Sequence, residues 1–399
     1  MLTDEQIENY LFKYVQFQEE LTSTVIQIIA ERIRDIADLP SAKSLNTLKE
    51  TMRTSSDISQ LKRIVAAIKK KQQEQIDDDF WDMVLFMYAE SKRYYEEGQI
   101  LLQANFEIMK ALDELSREAR TSLDLLTRNP VIMLRDLKNP SILKPYNLEQ
   151  AYATIVQEAS QYKQLDNIDM NVALKRTETQ LFASGVRYID NSSSDDEPRV
   201  VSANRAVRFN VLDSIKKMIN KIQDIMGKQF GANGLELSAH FAPAPDHAPA
   251  QGHQFTKKEV DKMQSGADFQ DVNGNTYIGF ERQIGQWNCR HYFMKIKLGA
   301  DPQYSQKQLD KILEDNERGY TTPSGKHYTL YECTQIQRRY ERNIRKAKEK
   351  YLMEKALSNK QAMQTLRIRV GDLTRQYKQF SNACDLPIKF ERLKVKDYK

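Results

Sequence analysis

Cysteine is scarce. Cys289, Cys333 and Cys384 are the three in 399 residues, too few and too far apart for the disulfide frameworks that staple small secreted domains, which fits folding in a reducing cytoplasm. No stretch approaches the 18 apolar residues of a membrane-spanning helix. The start, MLTDEQIENYLFKY, has no basic segment leading into an apolar one, so no secretory leader is read there. The Gly-x-Gly-x-x-Gly fingerprint, the Walker A loop and the Ser-centred elbow are all missing, and no paired-carboxylate constellation stands out from a background that is 29% charged.

Glycine is nearly missing from the first part of the chain: Gly98 and Gly185 are the two before Gly227, whereas twelve lie between Gly227 and Gly371. A long segment without this helix breaker reads as nearly uninterrupted helix. A chain of this length exceeds what one core usually serves, and its 40% hydrophobic content supplies enough apolar material for two. The net charge of +5 is unevenly spread. From Glu236 onward there are 29 basic and 20 acidic residues, a net of +9, which leaves −4 on the first 235 residues. No fixed-period repeat or long low-complexity tract occurs.

Apolar residues recur at helical spacing at Ile7, Leu11, Tyr14, Leu21, Val25, Ile28, Ile29, Ile33 and Ile36, with Pro40 closing the run. A second helix is predicted from about Ser56 to Lys70. A third begins near Asp78, carries Trp81, Leu85, Tyr88 and Tyr95 as a core-packing stripe, and runs toward Leu126 before Pro130, Pro140 and Pro145. Asn191–Arg199 has no apolar residue and reads as a solvated loop, and another helix is predicted from Val211 to Met226. From Leu235 the pattern changes to short strands and turns, with hairpin signals at Asn273-Gly274 and at Thr322–Lys326. Beyond Thr334 two helices are predicted, separated near Ser358-Asn359. The first carries Ile336, Tyr340, Ile344, Ala347 and Tyr351, and the second Met363, Leu366, Val370, Leu373, Tyr377 and Phe380. The predicted fold class is mainly α: a helical amino-terminal bundle over 1–230, a small α+β His/Cys module over 231–331, and basic helices with a tail over 332–399.

Four of the five histidines and one cysteine fall in two short stretches of that module, SAHFAPAPDHAPAQGH and GQWNCRH, as His240, His247, His253, Cys289 and His291. Pro243, Pro245 and Pro249 stiffen the first stretch. Imidazole and thiolate are zinc's preferred ligands, so one reading of His240, His247, Cys289 and His291 is a tetrahedral zinc site stapling the module. The spacing lacks the Cys-x₂-Cys knuckle, and the bland reading is a hydrogen-bonded histidine cluster. A third reading makes Cys289 a nucleophile with His240 or His247 as base and Asp246 as orienter. Trp287 reads as a core anchor, and Cys333 and Cys384 as inert buried thiols.

The motif pair resembles the phage minor capsid protein 2 family. The matching residues are Ser238-Ala239-His240, Pro245-Asp246-His247 and Gln251-Gly252, followed by Gly285-Gln286-Trp287-Asn288-Cys289-Arg290-His291. Ala244 stands where the family's pattern has arginine. The resemblance implies a low-copy structural protein of a tailed bacteriophage, assembled in the host bacterial cytoplasm and carried in the virion head. Its implied partners are the portal and capsid proteins, with packaged double-stranded DNA contacted without regard to sequence, and it implies no reaction and no membrane. A Cys/His- or metal-dependent nuclease or toxin-like domain carried in the head is the alternative; a cellular coiled-coil scaffold would fit the helices but not the motif pair.

From Tyr331 to Lys399 there are 18 basic and 8 acidic residues. Arg338, Arg339, Arg342, Arg345 and Lys346 recur within little more than two turns, opposite the apolar stripe, so the expectation is a helix that packs on one face and offers cations to DNA on the other.

Overall fold

The computed structural model describes residues 4–37, 56–91, 103–135, 142–164, 185–190, 199–285 and 289–398. Its first helix, α1 (Asp4–Ala37), buries the predicted stripe, including Ile7, Leu11, Tyr14, Leu21, Val25, Ile29, Ile33 and Ile36. Pro40 lies outside the described residues, as do Pro140, Tyr95 and residues 191–198 of the predicted loop.

The next two expected helices need correction. Residues Ser56–Ser91 form one continuous helix, α2, because Lys71–Asp77, polar except for the buried Ile76, contains no glycine or proline to stop it. The expected stripe is also out of phase. Phe80, Met83, Val84 and Met87 are buried, whereas Trp81 and Leu85 are 41% and 51% exposed, and Tyr88 packs only at the margin of the core. Helix α3 is Gln103–Thr127.

Pro130 follows the end of α3, and the run behind it builds a strand that the helical pattern does not anticipate. Strands β1 (Val131–Arg135), β2 (Leu143–Asn147), β3 (Val186–Asp190) and β4 (Arg199–Ser202) make an antiparallel sheet in the order β2-β1-β3-β4. Proline cannot continue the helix, and Val131-Ile132-Met133-Leu134 then buries itself best as strand. Helix α4 (Leu148–Gln164) follows β2, and α5 (Ala203–Phe230) follows β4. Ile215, Met218, Ile219, Ile222 and Met226 of α5 are buried in the core shared with α1, α2 and α3. Gly231, at φ 70°, ends α5 in the left-handed conformation that glycine adopts without steric cost.

Beyond Gly231, β5 (Gly234–Leu237) is the centre of a sheet ordered β6-β5-β9, with β6 at Gln254–Phe255 and β9 at Phe293–Ile296. Helix α6 (Lys257–Ser265) and the hairpin β7 (Phe269–Gln270) with β8 (Thr276–Tyr277) cover a small core of Leu237, Phe255, Met263, Phe269 and Phe280. The Asn-Gly signal falls in the β7–β8 loop, where the Asp271 side chain accepts from the backbone N–H of Asn273 and Asn275. Helix α7 (Gln306–Arg318) precedes the second predicted hairpin, β10 (Tyr320–Thr321) with β11 (His327–Tyr328). Helices α8 (Leu330–Ala356) and α9 (Lys360–Ala383) pack together, capped by Thr329 and Asn359, so the break falls where the sequence placed it. The small sheet is not isolated from the bundle: Tyr292 and Met294 are buried in the first core.

The three regions meet at one carboxylate. Glu8 of α1, 5% exposed, accepts from Arg208 of α5 at 2.6 and 3.2 Å, from Arg290 of the His/Cys module at 3.3 Å, and lies 3.1 Å from a guanidinium nitrogen of Arg338 on α8. Further along α1, Glu19 pairs with Arg345 at 2.7 Å, where Arg345 is buried and Glu19 partly so. Burial opposes ionisation of Glu8, but Arg338, Arg208 and Arg290 outweigh it and hold the carboxyl far below its ordinary 4.5.

Replacing Glu8 by glutamine keeps the volume and removes the negative charge that Arg208, Arg290 and Arg338 share. The expected loss is about 3–5 kcal/mol of unfolding free energy in urea titrations. Because the folded-state pKa is depressed, this stabilisation is complete above the ordinary value of 4.5 and is lost as pH falls below it. Acidification should therefore cost the wild-type chain more stability than Glu8→Gln, and equal losses would show that the carboxylate is not the link.

Candidate functional site

The two histidine-bearing stretches are drawn together by the pairing of β5 with β9, which sets Leu237 opposite Phe293. Immediately before and after those residues, Ser238 exchanges two hydrogen bonds with Tyr292. Its N–H donates to the Tyr292 carbonyl and its hydroxyl accepts from the Tyr292 N–H, each at 3.0 Å. Ala239-His240 and Arg290-His291 therefore leave the sheet side by side. The first stretch returns through a 3₁₀ turn at Ala248–Ala250 to Gly252, whose N–H donates to the Leu237 carbonyl at 2.8 Å. Gly252 sits at φ 75°, and a Cβ there would come within 2.4 Å of Leu309. The positive φ favours glycine at this motif position, and any side chain there would have to displace Leu309.

Cys289 lies between two imidazoles, its Sγ 3.4 Å from Nδ1 of His247 and 3.5 Å from Nδ1 of His291. All three side chains are buried, and their ligand atoms lie within 4.8 Å of one another. The opposite edge of each ring is tied down: Nε2 of His247 donates to the Arg282 carbonyl at 2.6 Å, and Nε2 of His291 donates to Oε1 of Gln251 at 3.3 Å. That Gln251 oxygen also accepts the backbone N–H of His240 at 3.2 Å. Asp246 holds Arg282 through two bonds, of 2.8 and 2.9 Å, and so fixes the carbonyl that orients His247.

His240, expected as a fourth member, stands differently. Its ring packs on the ring of His291, centroids 4.2 Å apart, and its Nδ1 donates to the Phe241 carbonyl at 3.2 Å. Burial pushes its pKa down to about 3, helped by the nearby Arg290 charge, so it is neutral at physiological pH. His253 belongs elsewhere, paired with Asp271 of the β7–β8 loop at 3.1 Å.

Electrostatics separates the other rings. Burial, with His240 and His247 beside it, pushes His291 well below the usual histidine value. Burial opposes the charged forms of Cys289 and His247 too, but their mutual attraction prevails, lowering the thiol and raising the imidazole. Cys289 is only 4% exposed, which admits a small ion more readily than an extended substrate.

Among the other motif residues, Arg290 reaches away from the cluster to Glu8, and the Gly285 carbonyl accepts from Nζ of Lys216. Pro245 lies on the exposed side of the loop, and Trp287 and Asn288 fall outside the described residues. Arg282 and Lys216 escaped the sequence reading because what they touch or present is backbone carbonyl, which has no residue signature. Cys333 and Cys384 are buried in a separate cluster with Leu330 and Leu386, as expected of inert thiols.

The basic stripe of α8 divides. Arg338 and Arg345 turn inward to Glu8 and Glu19, which corrects the expectation that all five cations share an outer face, whereas Arg339, Arg342 and Lys346 are exposed. Helix α9 adds exposed Arg367, Arg369, Arg375 and Lys378, which the sequence reading did not single out although their spacing opposite Leu366, Val370 and Tyr377 points outward.

A family model described as phage minor capsid protein 2 matches residues 2–382. No curated protein and no solved structure matches the chain.

The loop geometry predicts unequal effects of one substitution at two glycines. Gly252→Ala, strained in φ and pressed against Leu309, should cost about 2 kcal/mol or more. Gly274→Ala, at φ 86° with open space around it, should cost about 1 kcal/mol. Thermal denaturation of both variants measures the difference, and equal shifts would contradict the close approach.

Proposed function

The chain belongs to the phage minor capsid protein 2 family, and from that premise we propose that it is a structural component of a tailed-phage virion, present in low copy at the portal and facing the packaged DNA. The observation that carries this reading is the family match over residues 2–382, nearly the whole chain. No described helix is long and apolar enough to cross a membrane.

The proposed docking element is the helical region before Gly231. Trp81 and Leu85 near the end of α2, and Phe106 and Met109 near the start of α3, are exposed apolar side chains that packing among the described residues does not account for. Such residues suit burial against another head protein.

Sequence-independent DNA contact is proposed for the exposed cations of α8 and α9. A cleft beside them presents Arg205 and Arg342 as exposed cations, while Arg208, Arg338, Arg345 and Arg392 on its walls pair with Glu8, Glu19 and Glu341. Such a surface draws phosphates by releasing counterions, without reading bases. The enzymatic alternative has the contact between Cys289 and His247 in its favour and the burial of the thiol against it.

Mass spectrometry of purified virions should find the protein well below the copy number of the major capsid protein. Trp81→Glu with Phe106→Glu should remove it from virions while leaving helical content unchanged. Virions without the wild-type protein would overturn the reading. DNA affinity of the full chain should fall steeply with salt, and neutralising Arg339, Arg342, Arg367 and Arg369 should reduce the slope by about 0.9 for each phosphate that is no longer neutralised. A salt-independent affinity, or none at low salt, would assign these cations to protein contacts.

A further inference from the structure

We infer that His247, Cys289 and His291 bind a zinc ion through Nδ1, Sγ and Nδ1, and that this ion locks the two motif stretches together. The inference does not depend on where the protein sits in a virion.

The first argument is geometric. Zinc–sulfur and zinc–nitrogen bonds of about 2.3 and 2.0 Å at a tetrahedral angle place the two ligand atoms about 3.5 Å apart. The two sulfur–nitrogen separations here are 3.4 and 3.5 Å. Both sulfur–nitrogen edges thus have the length a shared zinc ion requires, and all three ligand atoms lie within 4.8 Å of one another.

The second argument concerns protons. Nε2 of His247 faces a backbone carbonyl, which can only accept, so that nitrogen carries hydrogen. Nε2 of His291 faces the Gln251 oxygen, whose identity is set because it also accepts the His240 N–H, so that nitrogen carries hydrogen as well. In the neutral rings, both Nδ1 lone pairs therefore point at Cys289. A thiol has one proton and can satisfy one of them. A thiolate facing an imidazolium from His247 still leaves the His291 lone pair against sulfur. One divalent cation accepts all three electron pairs at once, and the thiol proton leaves to solvent as zinc binds.

The third argument is the surrounding shell. Metal-binding histidines usually donate their other N–H to a carbonyl or carboxylate, which fixes tautomer and ring orientation. Here the Arg282 carbonyl and Gln251 fill that role, and Asp246 anchors Arg282 in turn. Pro245-Asp246-His247 and Gln251-Gly252 thereby acquire a joint purpose. The mixed nitrogen–sulfur donor set selects zinc over magnesium or calcium, which require oxygen. The ligands come from segments separated by about forty residues, so the ion would close a long loop between β5 and β9.

The test uses the tag-free, full-length protein, purified under reducing conditions, stripped with a chelator and titrated with zinc against a chromophoric competitor. About one zinc per chain is expected. Cobalt in its place should show sulfur-to-metal charge-transfer absorption in the near ultraviolet. Cys289→Ala should abolish that band, and Cys333→Ala and Cys384→Ala should keep it. Gln251→Ala, which removes an orienting partner and no ligand, should weaken zinc binding by about 10–100-fold. Circular dichroism establishes that each variant is folded. A folded wild-type chain that takes up no zinc overturns the inference whatever the variants do. A cobalt complex lacking the sulfur band, or zinc affinity unchanged in Cys289→Ala, overturns it equally.

Discussion

A carboxylate buried in the first turns of the first helix must be neutralised or the chain cannot close around it. Glu8 meets that requirement with Arg208, Arg290 and Arg338, one guanidinium from each of the three regions that composition separates. Removing water from a charge costs several kcal/mol, recovered only if the counter-charges arrive in good geometry. Helical bundle, His/Cys module and terminal helices are consequently held in one arrangement. Arg290 matters doubly, because it sits between Cys289 and His291 in sequence and fixes their segment to α1.

The same constraint alters the meaning of the charge asymmetry. A helix carrying Arg338, Arg339, Arg342, Arg345 and Lys346 looks like a phosphate-binding face, yet two of the five close ion pairs with acidic residues of α1. Lys389 and Lys396 likewise meet Glu5 and Glu20. Part of the opposition between a negative amino-terminal region and a positive carboxy-terminal one is thus satisfied inside the molecule. The remaining outward cations of α8 and α9 are the ones proposed to contact nucleic acid.

Within the His/Cys module the chemistry is built from short-range pieces. Ser238 pins two strand ends, Gly252 provides a left-handed turn against Leu309, and Gln251 and Asp246 orient ring edges through one oxygen or one intermediary arginine. Each piece is recognisable as a turn former or a polar side chain, but its partner lies tens of residues away.

Much of the architecture was written in local pattern. The α1 stripe, the Gly231 stop, the two hairpins and the break at Ser358-Asn359 follow from period, capping and turn chemistry, which act over a few residues and need no knowledge of the rest of the chain. The grouping of His247, Cys289 and His291 was legible for a related reason, since two clusters of rare residues are improbable without a shared purpose. The phase of α2, where Phe80 turns inward and Trp81 outward, was decided only by tertiary structure, and so was the strand behind Pro130. So were the stacking of His240 outside the His247, Cys289 and His291 triangle and the inward turn of Arg338 and Arg345. These depend on what a side chain meets across up to about three hundred residues, and a helical period or a charge count fixes which residues share a face without fixing what that face will touch.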